Sequence, residues 1–137
     1  MKERTFAPAP RSGRMVLLER AVRRDLMPPL HAYADDTSYY VLGGSLTFFV
    51  GDEIVRARGG DVVVVPAAVA HTYRVESNGA RFHLLTRVAS SRALEDFALA
   101  LAEPADSWTS EDERVAVTAL AADAGIRVLG PPGALPA

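Results

Sequence analysis

Few side chains in this sequence could move protons or hold a metal ion near neutral pH. The 137-residue chain has no cysteine, and its three histidines are His31, His71 and His83. As a bare count these would make a metal triad, because imidazole is the ligand type that remains when thiolate is absent. An imidazole of ordinary pKa also takes and gives protons at neutral pH. Tyr33 and Tyr39 follow His31 closely, and Tyr73 lies two residues beyond His71. A phenol beside an imidazole can donate a hydrogen bond to a developing enolate or oxyanion. The chain contains neither a phosphate-cradling glycine loop nor a nucleophile elbow.

The elements that must position these residues read as β followed by helix. Met15 to Leu18 is a short apolar run suited to a strand, and Met27-Pro28-Pro29-Leu30 blocks helix because each proline drives its predecessor towards extended backbone. Tyr39 to Leu42, Leu46 to Val50, Ile54-Val55, Val62 to Val65, Thr72 to Val75 and Phe82 to Leu85 are rich in β-branched and aromatic residues. Gly43-Gly44, Gly51-Asp52, Gly59-Gly60 and Asn78-Gly79 separate them as turns. Short strands at even spacing predict an antiparallel sandwich or barrel, and runs that are apolar on consecutive residues predict cover on both faces. After Ala89 the period changes. Leu94, Phe97, Ala98 and Leu101 make one helical stripe that Pro104 ends. A second helix is expected from a capping box with Ser110 as N-cap to a stop at Gly125, followed by a short extended piece over 126–132.

Composition excludes several partners. With 49% hydrophobic and 23% charged residues, the chain is expected to fold as one domain with its own core. A formal net charge of −2 leaves no basic excess to neutralise a phosphate backbone, which argues against nucleic acid. The longest apolar run, Val62 to Ala70, contains Pro66 and is too short to span a bilayer, so no membrane partner is expected. Met1-Lys2-Glu3-Arg4-Thr5 lacks the apolar stretch of a secretory signal, and the expected location is cytoplasmic. Fourteen arginines face a single lysine, Lys2, a usage typical of high-GC bacteria.

Two segments resemble the paired motifs of the cupin superfamily. His31-Ala32-Tyr33-Ala34-Asp35-Asp36-Thr37 with Gly44 is similar to His-x-His-x3-4-Glu-x6-Gly, and Gly60, Pro66, Ala68 and His71 are similar to Gly-x5-Pro-x-Gly-x2-His. The resemblance implies a mainly β fold, a double-stranded β-helix or jelly-roll-like barrel with an interior ligand pocket, commonly a homodimer. Residues 1–13, with Pro8, Pro10 and Gly13 and no apolar period, are expected to form a flexible arm or to pair with a neighbouring subunit, the barrel to span 14–89, and a C-terminal helical extension over 90–137 to pack on it. The ending from Gly125 to Pro132 is similar to single-domain bacterial cupins of the quercetin 2,3-dioxygenase-like group.

The departures from the pattern shape the functional expectation. Active cupin sites use two histidines and a glutamate from the first motif and one histidine from the second. Here His31 and His71 hold ligand positions, while Tyr33 replaces the second histidine and Thr37 the glutamate. Asp36 is adjacent to the matched position and on a strand points to the other face. The set implies no metal cofactor, with proton chemistry by His31, His71, Tyr33 and Tyr39 in a pocket lined by Thr37, Phe49, Tyr73 and His83. His83 is the weakest of these, since Phe82 and Leu84 serve equally well as the core face and Arg81 and Arg87 share its parity. The expected function is a cyclase, isomerase or lyase acting on an apolar, polyketide-like or aromatic substrate. Two alternatives stand beside it. One is a quercetinase-type dioxygenase with a divalent transition metal on His31, His71 and either Tyr33 or His83; the other is a non-catalytic metabolite-binding cupin.

Overall fold

In the computed structural model, which describes residues 14–24, 27–88, 91–101 and 111–136, nine strands and two helices follow one another. The strands are β1 (Arg14–Arg23), β2 (Pro29–Tyr33), β3 (Thr37–Gly43), β4 (Ser45–Val50), β5 (Glu53–Arg58), β6 (Val62–Val65), β7 (His71–Val75), β8 (Gly79–Val88) and, after the helices, β9 (Ile126–Pro132). The helices are α1 (Ser91–Leu101) and α2 (Glu111–Asp123). Residues 1–13, expected as an arm, and Ser110, expected as a cap, lie outside the described residues.

Two antiparallel sheets form the barrel walls, one in the order β9-β2-β7-β4-β5 and the other in the order β1-β8-β3-β6. Alternation along each strand sends one set of side chains between the sheets. On β8 that set is Ala80, Phe82, Leu84, Thr86 and Val88, all buried. On β4 both parities are buried, so Leu46 and Phe48 fill the interior while Thr47 and Phe49 lie on the outer face. The aromatic centre joins both sheets: Tyr39 lies 5.0 Å from Phe48 and 5.5 Å from Phe82, ring centre to ring centre, and Tyr73 lies 5.5 Å from Phe82. Burying each such side chain contributes about 1.5–3 kcal/mol.

The turn from β3 to β4 depends on Gly44. Its φ is +80°, and a Cβ there would stand 2.3 Å from the Gly79 carbonyl oxygen. Only glycine fits both demands. Strand β9 returns after the helices to pair with β2, Ile126 opposite Tyr33 and Val128 opposite His31. Helix α1 buries Leu94, Phe97 and Ala98 in one stripe, and α2 buries Val117 and Ala121. Gly125 ends α2 in a left-handed conformation, with φ +78°. No helix among the described residues is long and apolar enough to cross a membrane.

Candidate functional site

One register pair creates the site. His31 on β2 stands directly opposite His71 on β7, and both side chains point between the sheets. Directly opposed residues bring their side chains together, and the two imidazole centres are 4.4 Å apart. Each ring is fixed at Nδ1: that of His31 lies 2.6 Å from the Pro29 carbonyl oxygen and that of His71 3.0 Å from the Val69 carbonyl oxygen. A carbonyl only accepts, so each Nδ1 carries the hydrogen and each Nε2 keeps its lone pair. On His71 that lone pair accepts the Tyr39 hydroxyl, at 2.8 Å.

Burial sets the charge state. Desolvation, with repulsion from His71 second, lowers the His31 pKa to about 3. Desolvation also lowers that of His71. Loss of water pushes the Tyr33, Tyr39 and Tyr73 hydroxyls up, and Tyr33 and Tyr39 further perturb each other. At neutral pH the centre therefore holds neutral imidazoles and neutral phenols.

His31, Tyr33, Tyr39 and Tyr73 line a cavity of about 20 Å³, room for one water. Its wall also includes Arg20, which the sequence reading missed. Phe97 of α1 packs nearby, its ring centre 6.3 Å from that of His31. A larger cavity of about 520 Å³ lies away from the histidines, against Thr47, Arg56, Arg58 and Arg74. In its wall Glu76 accepts from Thr47 at 2.6 Å and from Arg74 at 2.9 Å.

Three expected residues fall elsewhere or are otherwise occupied. Thr37 is buried with inward parity, but its hydroxyl meets that of Thr86 at 3.0 Å and lies outside the cavity wall. Phe49 has the opposite parity to Phe48 and stacks outside the barrel under Arg74, 5.4 Å from ring centre to guanidinium. The expectation that Phe49 lines the pocket is corrected accordingly. His83 is corrected in the same way, because Phe82 and Leu84 take the interior and leave it outside, 3.3 Å from Glu19. Asp36 is exposed and accepts the Ala67 amide at 2.8 Å, which ties the loop before β3 to the loop before β7. That second loop also donates the Ala68 amide to the Tyr33 carbonyl at 2.8 Å, with Ala68 at φ 67°.

The donor set does not fit a divalent transition metal. It offers two neutral imidazole nitrogens, phenols that burial keeps protonated, and no carboxylate, since Thr37 stands where the glutamate would be. Among the described residues no three His, Asp or Glu side chains converge.

Two twisted sheets around paired histidines define a cupin-type double-stranded β-helix, and the sequence agrees: the cupin domain family matches residues 23–86. Residues 23–86 are a cupin domain. Among solved structures it is similar to an RmlC-like cupin from Shewanella frigidimarina (18% identity, TM-score 0.53, covering 58% of this chain and 70% of that one). It is also similar to a Streptococcus pyogenes protein of unknown function (17%, TM-score 0.50, covering 53% and 62%) and to the polyketide cyclase RemF from Streptomyces resistomycificus (22%, TM-score 0.50, covering 56% and 55%). The likeness thus spans less than two thirds of the last two proteins. No curated protein sequence matches the chain.

Proposed function

We propose that this chain is a metal-independent cyclase, isomerase or lyase of cytoplasmic secondary metabolism, moving a proton on an apolar, polyketide-like or aromatic substrate. The observation that carries this reading is the Tyr39 hydroxyl held 2.8 Å from the neutral His71 Nε2, beside the second neutral imidazole of His31. The His31 Nε2 lone pair is the base, and the Tyr39 hydroxyl, leaving the His71 Nε2 that accepts its proton at rest, turns that proton to the oxygen on which charge develops. A base made weak by burial gains proton affinity as a negative enolate forms beside it, so both charges arise as a pair. The fold shared with a polyketide cyclase supports the same class. A cavity of about 20 Å³ is too small for such a substrate, so the barrel must open before one enters.

The test is deuterium uptake at the α-carbons of 2-tetralone in D2O, followed by NMR. The wild type should exceed buffer, and His31→Gln and Tyr39→Phe should lose most of the excess. Exchange no faster than buffer contradicts the reading, and binding of the ketone without exchange supports the non-catalytic alternative.

We also propose a homodimer. Met15, Leu17, Tyr40, Val62, Val64 and Leu85 are exposed on the outer face of the four-stranded sheet. The register aligns Leu17, Leu85, Ser38 and Val64 in one row and Glu19, His83, Tyr40 and Val62 in the next. An apolar face of this kind, carrying both Glu19 and Arg81, suits a two-fold partner.

A further inference from the structure

We infer that Arg20 is the recognition residue of the barrel for an anionic oxygen, so that the substrate carries one carboxylate, ionised enol or phenolate on its apolar body. This rests on reading the interior as the substrate site.

Strand β1 alternates. Val22 is in the core with Val16 and Leu18 packed against it, so Arg20 belongs to the inward set. Its partner across the sheet is Phe82, in the barrel centre, and it lines the cavity with His31, Tyr33, Tyr39 and Tyr73. Its positive charge acts on all three of those phenols. Glu19, the nearest acid on the same strand, points to the outer face and engages Arg81 at 3.4 Å and His83 at 3.3 Å. No carboxylate among the described residues pairs with Arg20.

A guanidinium does not deprotonate in a protein, and a partly buried charge without a counter-ion is costly. All other groups around this cavity are neutral imidazoles, phenols or hydrocarbon. Among the described residues the site therefore holds one positive charge without a counter-ion, and a ligand with one anionic oxygen brings that total to zero. The planar fork matches a carboxylate in bidentate fashion and a phenolate or enolate through a single oxygen. An anion held there also stabilises the imidazolium that His31 becomes on taking a proton.

Benzoate, 4-nitrophenolate and benzamide are suitable probes, titrated into the protein under NMR observation of His31, Tyr39 and the Arg20 Nε–H. Benzoate and benzamide are matched in size, so the cost of opening the barrel cancels between them. The wild type should bind at least one of the anions about tenfold or more tightly than benzamide, a difference expected of charge-assisted hydrogen bonds. Arg20→Gln and Arg20→Met should both erase it. With Arg20→Lys, benzoate should lose more affinity than 4-nitrophenolate, because an ammonium has no fork. Benzamide binding as tightly as both anions, or an anion preference that survives Gln and Met, overturns the inference while leaving the interior as a binding site. Failure of all three probes to perturb the site overturns both.

Discussion

His31 and His71 face each other across a single register pair of the β2 and β7 strands, with ring centres 4.4 Å apart and, among the described residues, no carboxylate in the cavity wall beside them. In that environment both rings are held as neutral donors at Nδ1 and acceptors at Nε2, and the acceptor of His71 is satisfied by one phenol. The chemistry proposed above depends on that pairing.

Tyr39→Phe should therefore destabilise the fold. The ring keeps its contacts with Phe48 and Phe82, but the fully buried His71 Nε2 loses its partner. An unsatisfied buried acceptor costs about 1–3 kcal/mol. Urea unfolding of the variant measures it, and an unchanged midpoint contradicts the hydrogen bond.

Stability should fall on acidification through the histidine range. The unfolded imidazole titrates near 6.5, whereas His31 in the folded chain is lowered to about 3 and His71 is lowered as well. Between those values the unfolded state binds protons that the folded state does not. The contribution is thus fully present above about pH 6.5 and is lost as pH falls towards 3. The slope from His31 approaches about 1.4 kcal/mol per pH unit, and His71 adds to it in the same direction. Unfolding free energies at pH 7.5, 6 and 5 give the slope, which should shrink in His31→Gln. A flat profile would mean that the rings are not desolvated.

Ala68→Gly should stabilise the protein. Ala68 occupies the second-motif position where the cupin pattern has glycine, and it adopts φ 67° on an exposed loop. That conformation costs a residue with a Cβ about 1–2 kcal/mol, partly offset by the extra freedom of glycine in the unfolded chain. A net gain of about 0.5–1 kcal/mol is expected in thermal or urea unfolding, and a loss would show that the loop is not strained.

Substitution on the outer sheet face should control assembly. The wild type is expected to run at twice the mass of one chain in light scattering at tens of micromolar. Leu17→Glu, which puts charge into the row it shares with Leu85 and Val64, should give monomers of unchanged circular dichroism. A monomeric wild type rules out the proposed pairing.

Much of this arrangement was legible through the family resemblance. The intervals from Gly60 through Pro66 to His71 and from His31 to Gly44 carry that resemblance, which implies the barrel and puts His31 and His71 on site positions. Turn glycines were legible because Gly44, Gly51 and Gly60 adopt positive φ. Parity was not legible where both faces of a strand are covered. Phe48 and Phe49 are consecutive, both buried, and only one enters the barrel. The same ambiguity placed His83 among pocket candidates, although its neighbours Arg81 and Arg87 already favoured the outside. Arg20 was missed because the first strand was read as ending at Leu18. It runs to Arg23, and the alternation of Val16, Leu18 and Val22 would have turned Arg20 inward.

The central claim is that the barrel interior holds two neutral, oriented imidazoles ready to move a proton. The direct measurement is the ¹⁵N resonance pattern of the histidine rings at pH 6, recorded before and after treatment with a chelator. Both His31 and His71 should show a protonated Nδ1 and an unprotonated Nε2, with the Nε2 signal of His71 alone shifting in Tyr39→Phe, and the chelator should change nothing. Imidazolium signals from the pair, the opposite tautomer, or a pattern that changes when metal is removed would contradict the account.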